Sequence, residues 1–248
     1  MRMGIFKPKP ARTTNGYFPF STDIHSHILP SIDDGSPDIE TSLSLIEGLQ
    51  KLGIKESTAT PHIIGDLYRN NRETINAALE KLREALAERN IDFKVKAAAE
   101  YMLDSYFLEL LRKKTPLLTL KDDLVLTEFS YSEKPVHAEQ MVFSMITEGY
   151  RPVLAHPERY AYYHNDFKQY DYLKDLGFLL QVNLLSLTGY YGKPAAKAAA
   201  YLVKNGLVSF AGTDLHHDRH MQALLHPSNR AIFEDSFGGR MVNEEFTH

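Results

Sequence analysis

The chain of 248 residues contains no cysteine and no tryptophan, and it has no long uninterrupted apolar run. The absence of cysteine excludes disulfide bonds and cysteine-based zinc sites, so His, Asp or Glu must hold any transition metal. No segment approaches the roughly 18 apolar residues of a membrane-spanning helix, and residues 1–20 lack the apolar core of a signal peptide. We therefore expect a cytoplasmic protein that is not an integral membrane protein.

An excess of positive charge is also absent, since the formal net charge is −4. This balance gives no electrostatic reason to expect nucleic acid as a partner. The hydrophobic fraction of 43% and the charged fraction of 24% are ordinary for a globular protein. A chain of this length is typical of a single large α/β domain.

Short apolar segments alternate with segments of helical periodicity. The seven strand-like segments span residues 22–28, 57–61, 94–101, 124–129, 152–156, 178–184 and 207–213. The helical segments span residues 36–52, 71–89, 134–148, 167–176 and 194–205, with Ser36 as a candidate cap of the first. Such alternation is typical of parallel strands joined by right-handed crossovers, and seven units favour a barrel. We expect an extended arm at residues 1–20 and one barrel domain at residues 21–248.

Ligand-type side chains fall at the predicted carboxyl ends of the strands, where an α/β barrel carries its chemistry. In "TDIHSHILP", His25 and His27 stand at i and i+2, so a strand would point both rings to one side. The other candidates come from distant segments and are Asp34, His62, Glu100, His156, Asp214 and His216. One such residue alone is more often an ordinary surface group, and Asp33 competes with Asp34 for any role in their turn. The convergence of eight candidates on one rim indicates a metal site.

Mixed histidine and carboxylate ligands favour Mn²⁺, Fe²⁺ or Zn²⁺ over Ca²⁺ and Mg²⁺. Eight side chains exceed the needs of one ion, so we expect two or three divalent ions bridged by Glu100. Three divalent ions, less the three carboxylates and one bridging hydroxide, leave a charge of +2. That charge matches a phosphomonoester dianion. At the ends of strands four and six, Glu128 and Asn183 are expected to support the site by hydrogen bonds.

Together these motifs resemble the PHP (polymerase and histidinol phosphatase) superfamily of metal-dependent phosphoesterases. More closely, "DIHSHILPSIDDG", "ATPHI" and "LAHPERY" are similar to the bacterial PHP-type protein-tyrosine phosphatases of capsule and exopolysaccharide operons. The resemblance covers residues 22 to about 236. It implies a distorted (β/α)7 barrel with a trinuclear site that usually contains manganese.

The resemblance also implies residue roles. One ion would be held by His25, His27, Glu100 and Asp214, a second by Glu100 and His156, and a third by Asp34, His62 and His216. Arg159 in "HPER" would bind the phosphate, and Arg219 is the candidate for a second phosphate-binding arginine. Arg219 lies closer to the Asp-x-His motif than the family's second arginine usually does. The extra histidines His217 and His220 are expected to be exposed loop residues. The implied partner is a phosphotyrosine protein, namely the tyrosine-rich tail of a bacterial tyrosine kinase.

The implied reaction is hydrolysis by metal-activated hydroxide without a phospho-enzyme, because a chain without cysteine has no thiolate route. A phenolate leaving group, whose conjugate acid has a pKa of about 10, needs less help from a general acid than an alkoxide. The main alternative is a phosphatase of histidinol phosphate or another small molecule. An amidohydrolase is disfavoured because its usual eight strands and bridging lysine are missing. A non-catalytic binding barrel remains a further alternative.

Overall fold

The computed structural model describes residues 20–237, Asn243 and Phe246. The predicted arm at residues 1–20 therefore lies outside the described residues, apart from the buried Phe20. Among the described residues, no helix is both long enough and apolar enough to cross a membrane.

Within the described residues, nine short strands occupy seven positions around a barrel. They are β1 Thr22–Ser26, β2 Glu56–Ala59, β3 His62–Ile63, β4 Lys94–Ala97, β5 Glu100–Met102, β6 Leu124–Glu128, β7 Arg151–Ala155, β8 Leu179–Asn183 and β9 Val208–Gly212. All pairings are parallel, in one sheet of order β1-β2-β4 and a second of order β3-β5-β6-β7-β8-β9. The single strands predicted at residues 57–61 and 94–101 are each interrupted. The first interruption contains Pro61, which has no amide hydrogen to donate to the neighbouring strand and therefore breaks the pairing there.

The barrel closes where β1 meets the segment that follows β9. The amide of Asp214 donates to the carbonyl of His25 at 2.8 Å. The carboxylate of Asp23 accepts the amide and the hydroxyl of Thr213 at 3.0 and 2.7 Å. The expectation of a distorted (β/α)7 barrel is confirmed, and the distortion lies at the step between the two sheets.

Helices cover the outside of the strands. They are α1 Ile39–Leu52, α2 Arg72–Glu88, α3 Ser105–Arg112, α4 Ala138–Thr147, α5 Lys168–Asp175, α6 Leu184–Leu187, α7 Lys193–Lys204, α8 Asp218–Leu225 and α9 Pro227–Phe237. The five predicted helices are present within a few residues of their expected bounds, whereas α3, α6, α8 and α9 were not predicted. The predicted cap at Ser36 is wrong, because the side chain of Asp38 accepts the amide of Thr41 at 2.8 Å and α1 begins at Ile39.

The barrel interior changes from apolar to polar along the strands. Leu124, Val153 and Phe210 belong to an interior apolar cluster, and Phe246 packs on Phe210 with ring centroids 5.5 Å apart. Nearer the carboxyl ends, buried polar side chains take over, including Gln181. The larger apolar core contains side chains from both the helices and the strands. Polar chemistry is therefore concentrated at the carboxyl-terminal rim.

Candidate metal centre

Glu100 lies at the centre of the rim and is fully buried. Four imidazoles surround its carboxylate at 3.1–3.3 Å, those of His25, His27, His62 and His156. Neither oxygen of Glu100 has a hydrogen-bond partner among the described residues. Buried carboxylates normally find such a partner. Oxygens and ring nitrogens that face one another in this way fit a shared cation, because both atom types donate lone pairs to metals.

Asp214 completes one group of ligand-type atoms. Its Oδ1 lies 3.3 Å from Nε2 of His25 and 3.6 Å from Nε2 of His27. The two Nε2 atoms are 3.3 Å apart, so His25 in β1 and His27 just after it face one point, as the i, i+2 spacing predicts. Together with Glu100, these residues could supply four ligands to one ion.

A second group surrounds Asp34 at the mouth of the site. Its Oδ1 lies 3.4 Å from Nε2 of His62 and 3.7 Å from Nε2 of His216. Ligand-type atoms of His27, Asp34, His62 and His216 all lie within 4.8 Å of one another. The side chain of Asp34 is 53% exposed, so this group is the most open to solvent of those described.

Glu128 forms a third group with His62 and Glu100. Its Oε1 lies 2.8 Å from Nδ1 of His62, yet neither atom has a hydrogen-bond partner among the described residues. The sequence predicts only a supporting role for Glu128. The structure gives it the surroundings of a metal ligand, so we count it with the candidates.

Three buried polar side chains orient the ligand-type groups from behind. Nδ1 of His25 lies 2.7 Å from Oε1 of Gln181, and Nδ1 of His27 lies 2.8 Å from Oδ2 of Asp33. Because both partners are acceptors, each Nδ1 carries the hydrogen and each Nε2 keeps its lone pair for a metal. Asn183 donates to Oδ2 of Asp214 at 2.6 Å, which is the supporting role expected for this residue.

The charges of the cluster depend strongly on one another. Burial disfavours the charged form of His27, but Asp33 and Glu100 outweigh it and raise the pKa well above the usual value. Burial and the charge of His27 lower the pKa of His62, but Glu100 and Glu128 outweigh both and raise it to about 9. Burial favours a protonated Glu100, yet His25 and His62 hold its pKa well below the usual range. Glu100 therefore stays ionised and requires cations beside it, either protons on the imidazoles or metal ions.

Unusual backbone positions place several of these side chains. His156 and Asp214 follow β7 and β9 with φ of 36° and 51°, a left-handed conformation that is uncommon outside glycine. Such strain persists where the surrounding structure holds it in place, and it is frequent at functional sites. At Gly212, an added Cβ would lie 2.7 Å from Cβ of His25, so only glycine lets β9 approach the His25 side chain this closely.

Arg159 lines a cavity of about 230 Å³ above the ligand-type side chains. The cavity is lined by Asp34, His62, Glu128, Tyr131, His156, Arg159, Asp214, His216, His217 and His220. Nη1 of Arg159 lies 2.7 Å from Oδ2 of Asp214, and the guanidinium carbon lies 4.1 Å from the ring centroid of Tyr191. A cation fixed in this way faces the cavity ready to bind an anion.

Arg219 and the extra histidines lie on or beside α8. Arg219 is exposed in the first turn of α8 and is not among the residues that line the cavity. The expected exposure is correct for His217, which caps α8 by accepting the amide of His220. It is wrong for His220, which is 8% exposed because it packs against Tyr190, Tyr191 and His216.

The profile of the family described as "Capsular polysaccharide synthesis, CpsB/CapC" matches residues 21–247. The chain belongs to the CpsB/CapC family. It is 30% identical to the tyrosine-protein phosphatase YwqE of Bacillus subtilis (strain 168), over 88% of this chain and 86% of that protein. The resemblance inferred from the motifs is therefore confirmed.

Solved structures agree with this assignment. One belongs to the crystal structures of YwqE from Bacillus subtilis and CpsB from Streptococcus pneumoniae, which are described as unique metal-dependent tyrosine phosphatases. It matches with a TM-score of 0.77 and 30% identity over 88% of both chains. The histidinol phosphate phosphatase of Lactococcus lactis matches with a TM-score of 0.50 and 13% identity, over 87% of this chain and 93% of that chain. At that identity the second likeness shows the fold alone.

In this CpsB/CapC chain, the eight predicted ligand-type residues converge on one rim, although their segments are far apart in sequence. Sequence reasoning missed Asp33 and Gln181 as orienting groups, Glu128 as a ligand-type group and Tyr131 as part of the cavity wall. Alternation along β8 could have identified Gln181, since it stands two residues before Asn183 and faces the same way. No pattern in the sequence distinguishes Asp33 from Asp34.

Proposed function

We propose that this chain is a metal-dependent protein-tyrosine phosphatase, which hydrolyses the phosphomonoester of tyrosine. The observation that carries the proposal is the buried carboxylate of Glu100, surrounded by four imidazoles and lacking a hydrogen-bond partner among the described residues. Membership of a family whose relatives are named tyrosine-protein phosphatases supports the same activity.

Two or three divalent ions are the cofactors that fit the donor atoms. The proposed ligand sets are His25, His27, Glu100 and Asp214 for one ion, Glu100 and His156 for a second, and Asp34, His62 and His216 for a third. Glu128, which lies beside His62 and Glu100, is a further candidate ligand. Manganese is the expected metal, and iron or zinc suits the same mixture of nitrogen and oxygen donors. When bound, the ions would supply Lewis acidity toward phosphoryl oxygens and lower the pKa of water.

The chain's own residues bind and orient the ester. Arg159 donates from its guanidinium to a phosphate oxygen, while Asp214 and Tyr191 hold the guanidinium in place. Three divalent ions, less the three carboxylates of Asp34, Glu100 and Asp214 and one hydroxide, leave a charge of +2. That charge equals the charge of a phosphomonoester dianion in size and is opposite in sign.

Arg219, predicted as a second phosphate-binding residue, does not line the cavity. Because it is exposed on α8, it is suited to contact parts of a phosphopeptide that lie outside the cavity rather than the reacting phosphate. If it contacts substrate, Arg219→Ala will raise KM for a phosphotyrosine peptide and leave KM for a small aryl phosphate unchanged. If both values stay the same, Arg219 has no part in substrate binding.

The physiological partner that we propose is a phosphotyrosine protein, namely the tail of a bacterial tyrosine kinase of capsular or exopolysaccharide synthesis. The family's description and the phosphatase names of its members support this choice. A cavity of about 230 Å³ admits a side chain but not a folded domain, so the phosphotyrosine must lie on an extended or flexible segment.

A direct comparison of substrates tests the activity. Manganese-loaded protein is supplied in parallel with a phosphotyrosine peptide and with histidinol phosphate, and phosphate release is measured for each. We expect higher kcat/KM for the peptide, because phenolate leaves more readily than an alkoxide. Preference for histidinol phosphate would contradict the assignment. Absence of turnover together with less than one metal ion per chain would favour the non-catalytic barrel.

A further inference from the structure

Tyr131 stands in the wall of the cavity, on the loop that follows β6. Apart from histidines, its ring is the one aromatic group among the described residues that line this cavity. The residue is 44% exposed, which is unusual for a large aromatic side chain beside a buried polar centre. Burial in the core therefore does not explain its position.

Contacts with His156, Arg159 and Tyr160 anchor the ring. It stacks on His156 with a centroid distance of 5.6 Å and an interplanar angle of 21°, and its hydroxyl lies 3.4 Å from both ring nitrogens of His156. The guanidinium carbon of Arg159 lies 4.9 Å from the ring centroid. Tyr131 thus touches one residue proposed to hold a metal and the residue proposed to bind phosphate, and it keeps 44% exposure in the wall of the cavity.

The position of the substrate's phosphate determines which part of the substrate lies beside Tyr131. The phosphate must lie between Arg159 and the ligand-type side chains, so the leaving group must extend from there toward solvent. In a cavity of about 230 Å³ that leaving group passes close to the wall. An aromatic ring in offset-stacked or edge-to-face contact with Tyr131 would be favoured over an aliphatic group of similar size.

We infer that Tyr131 is a specificity-determining residue that contacts the phenyl ring of the substrate and selects aryl over alkyl phosphates. This inference rests on the proposed phosphatase function, which it deepens. The tyrosines that follow the "HPER" segment do not fill the same role. Tyr160 and Tyr163 are 0% and 2% exposed and belong to the core, and neither they nor the partly buried Tyr162 line the cavity.

The experiment uses phosphonates, which bind but are not hydrolysed, so that binding is measured apart from turnover. Phenylphosphonate and methylphosphonate are titrated by calorimetry into the manganese-loaded full chain. The variants are Tyr131→Leu, which removes the ring, and Tyr131→Phe, which keeps it. Tyr172→Leu is the matched control, because Tyr172 is 39% exposed on α5 and its hydroxyl bonds to Glu139 rather than to the cavity.

We expect Tyr131→Leu to weaken phenylphosphonate binding by roughly three- to tenfold, the usual range for one aromatic contact, and to leave methylphosphonate unchanged. Tyr131→Phe and Tyr172→Leu should keep the discrimination of the unmodified protein. An equal loss for both phosphonates in Tyr131→Leu, or no preference for phenylphosphonate in the unmodified protein, would overturn the inference. Failure of the phosphatase function has a separate sign, which is the absence of phosphate release from a phosphotyrosine peptide.

Discussion

At the scale of single residues, the turn "DDG" shows what a sequence can and cannot establish. The motifs place a carboxylate beside the metal site, but two adjacent aspartates fit equally well. In the structure, Asp33 points inward, where Oδ2 contacts Nδ1 of His27 at 2.8 Å and the amide of His62 at 3.1 Å. Asp34 faces the cavity instead. The direction of a side chain depends on the tertiary contacts of its turn, and these are not visible in local sequence.

Replacement of Asp33 tests this division of roles. Asp33→Asn should lower metal affinity by about ten- to hundredfold, because His27 loses the charged partner that orients its ring and raises its basicity. Metal titration of the metal-free protein measures the change. Asp38→Asn is the matched control, since Asn caps a helix as well as Asp and Asp38 lies in the same loop. Equal metal affinity in the two variants would contradict the orienting role.

The pKa of His62 predicts opposite pH dependence for stability and for metal binding. In the metal-free protein this pKa is raised from 6.5 to about 9, mainly by Glu100 and Glu128 against burial. A raised pKa gives stability that is fully present below pH 6.5 and is lost as the pH rises through about 9. A metal binds only the deprotonated ring, so metal affinity should rise over the same interval.

Urea unfolding and metal titration, each at several pH values, measure the two trends. The stability trend should weaken in His62→Gln, which carries no titratable ring. A metal-free protein whose free energy of unfolding stays constant or rises between pH 6.5 and pH 9 would contradict the assigned direction of the pKa shift.

At the scale of elements, alternation and periodicity predict the strands and five of the helices, α1, α2, α4, α5 and α7. The interruptions after β2 and β4 were not predicted, although Pro61 signals the first of them. Length does not distinguish the missed helices, since α3 and α8 have eight residues, as the predicted α5 does, and Asp104 caps α3 by accepting the amide of Phe107 at 2.8 Å. Boundaries of short elements depend on caps and tertiary packing more than on periodicity.

The turn between β1 and α1 contains a glycine that the packing requires. An added Cβ at Gly35 would overlap the carbonyl oxygen and the Cβ of His27, so backbone as well as side chain would have to move. Gly35→Ala should lower the free energy of unfolding by about 1–3 kcal/mol and should also weaken metal binding, because His27 moves with its backbone. Urea unfolding and metal titration measure the two effects.

Gly149→Ala provides the comparison for this glycine. There φ is +88° and an added Cβ meets nothing within 4 Å, so stability should fall while metal affinity stays constant. If Gly35→Ala bound metal as tightly as Gly149→Ala, the close contact with His27 would have no functional consequence.

At the scale of the whole molecule, the barrel separates stability from chemistry along its axis. Strand and helix alternation predicts the barrel, and the known location of barrel active sites predicts the rim. The step between the two sheets and the polar contact of Asp23 with Thr213 were not predicted, because they join residues 190 positions apart in the sequence. The apolar cluster inside the barrel includes Phe246, which is 5% exposed and packs on Phe210.

Replacement of Phe246 tests this separation. Phe246→Ala should lower the free energy of unfolding by about 3–5 kcal/mol through loss of buried contacts, with unchanged metal stoichiometry. Phe143→Ala is the control, because Phe143 is 71% exposed on α4 and should change stability by less than about 0.5 kcal/mol. Urea unfolding and elemental analysis give both readouts. Loss of metal without loss of stability in Phe246→Ala would contradict the separation.

The measurement that tests the central claim most directly is an anomalous difference map from crystals grown with Mn²⁺. The account predicts two or three strong peaks at the rim, with at least one within about 2.0–2.2 Å of a Glu100 oxygen and of the nearest imidazole nitrogens. Peaks only at surface carboxylates, or no peak within coordination distance of Glu100, would contradict a metal centre at this position.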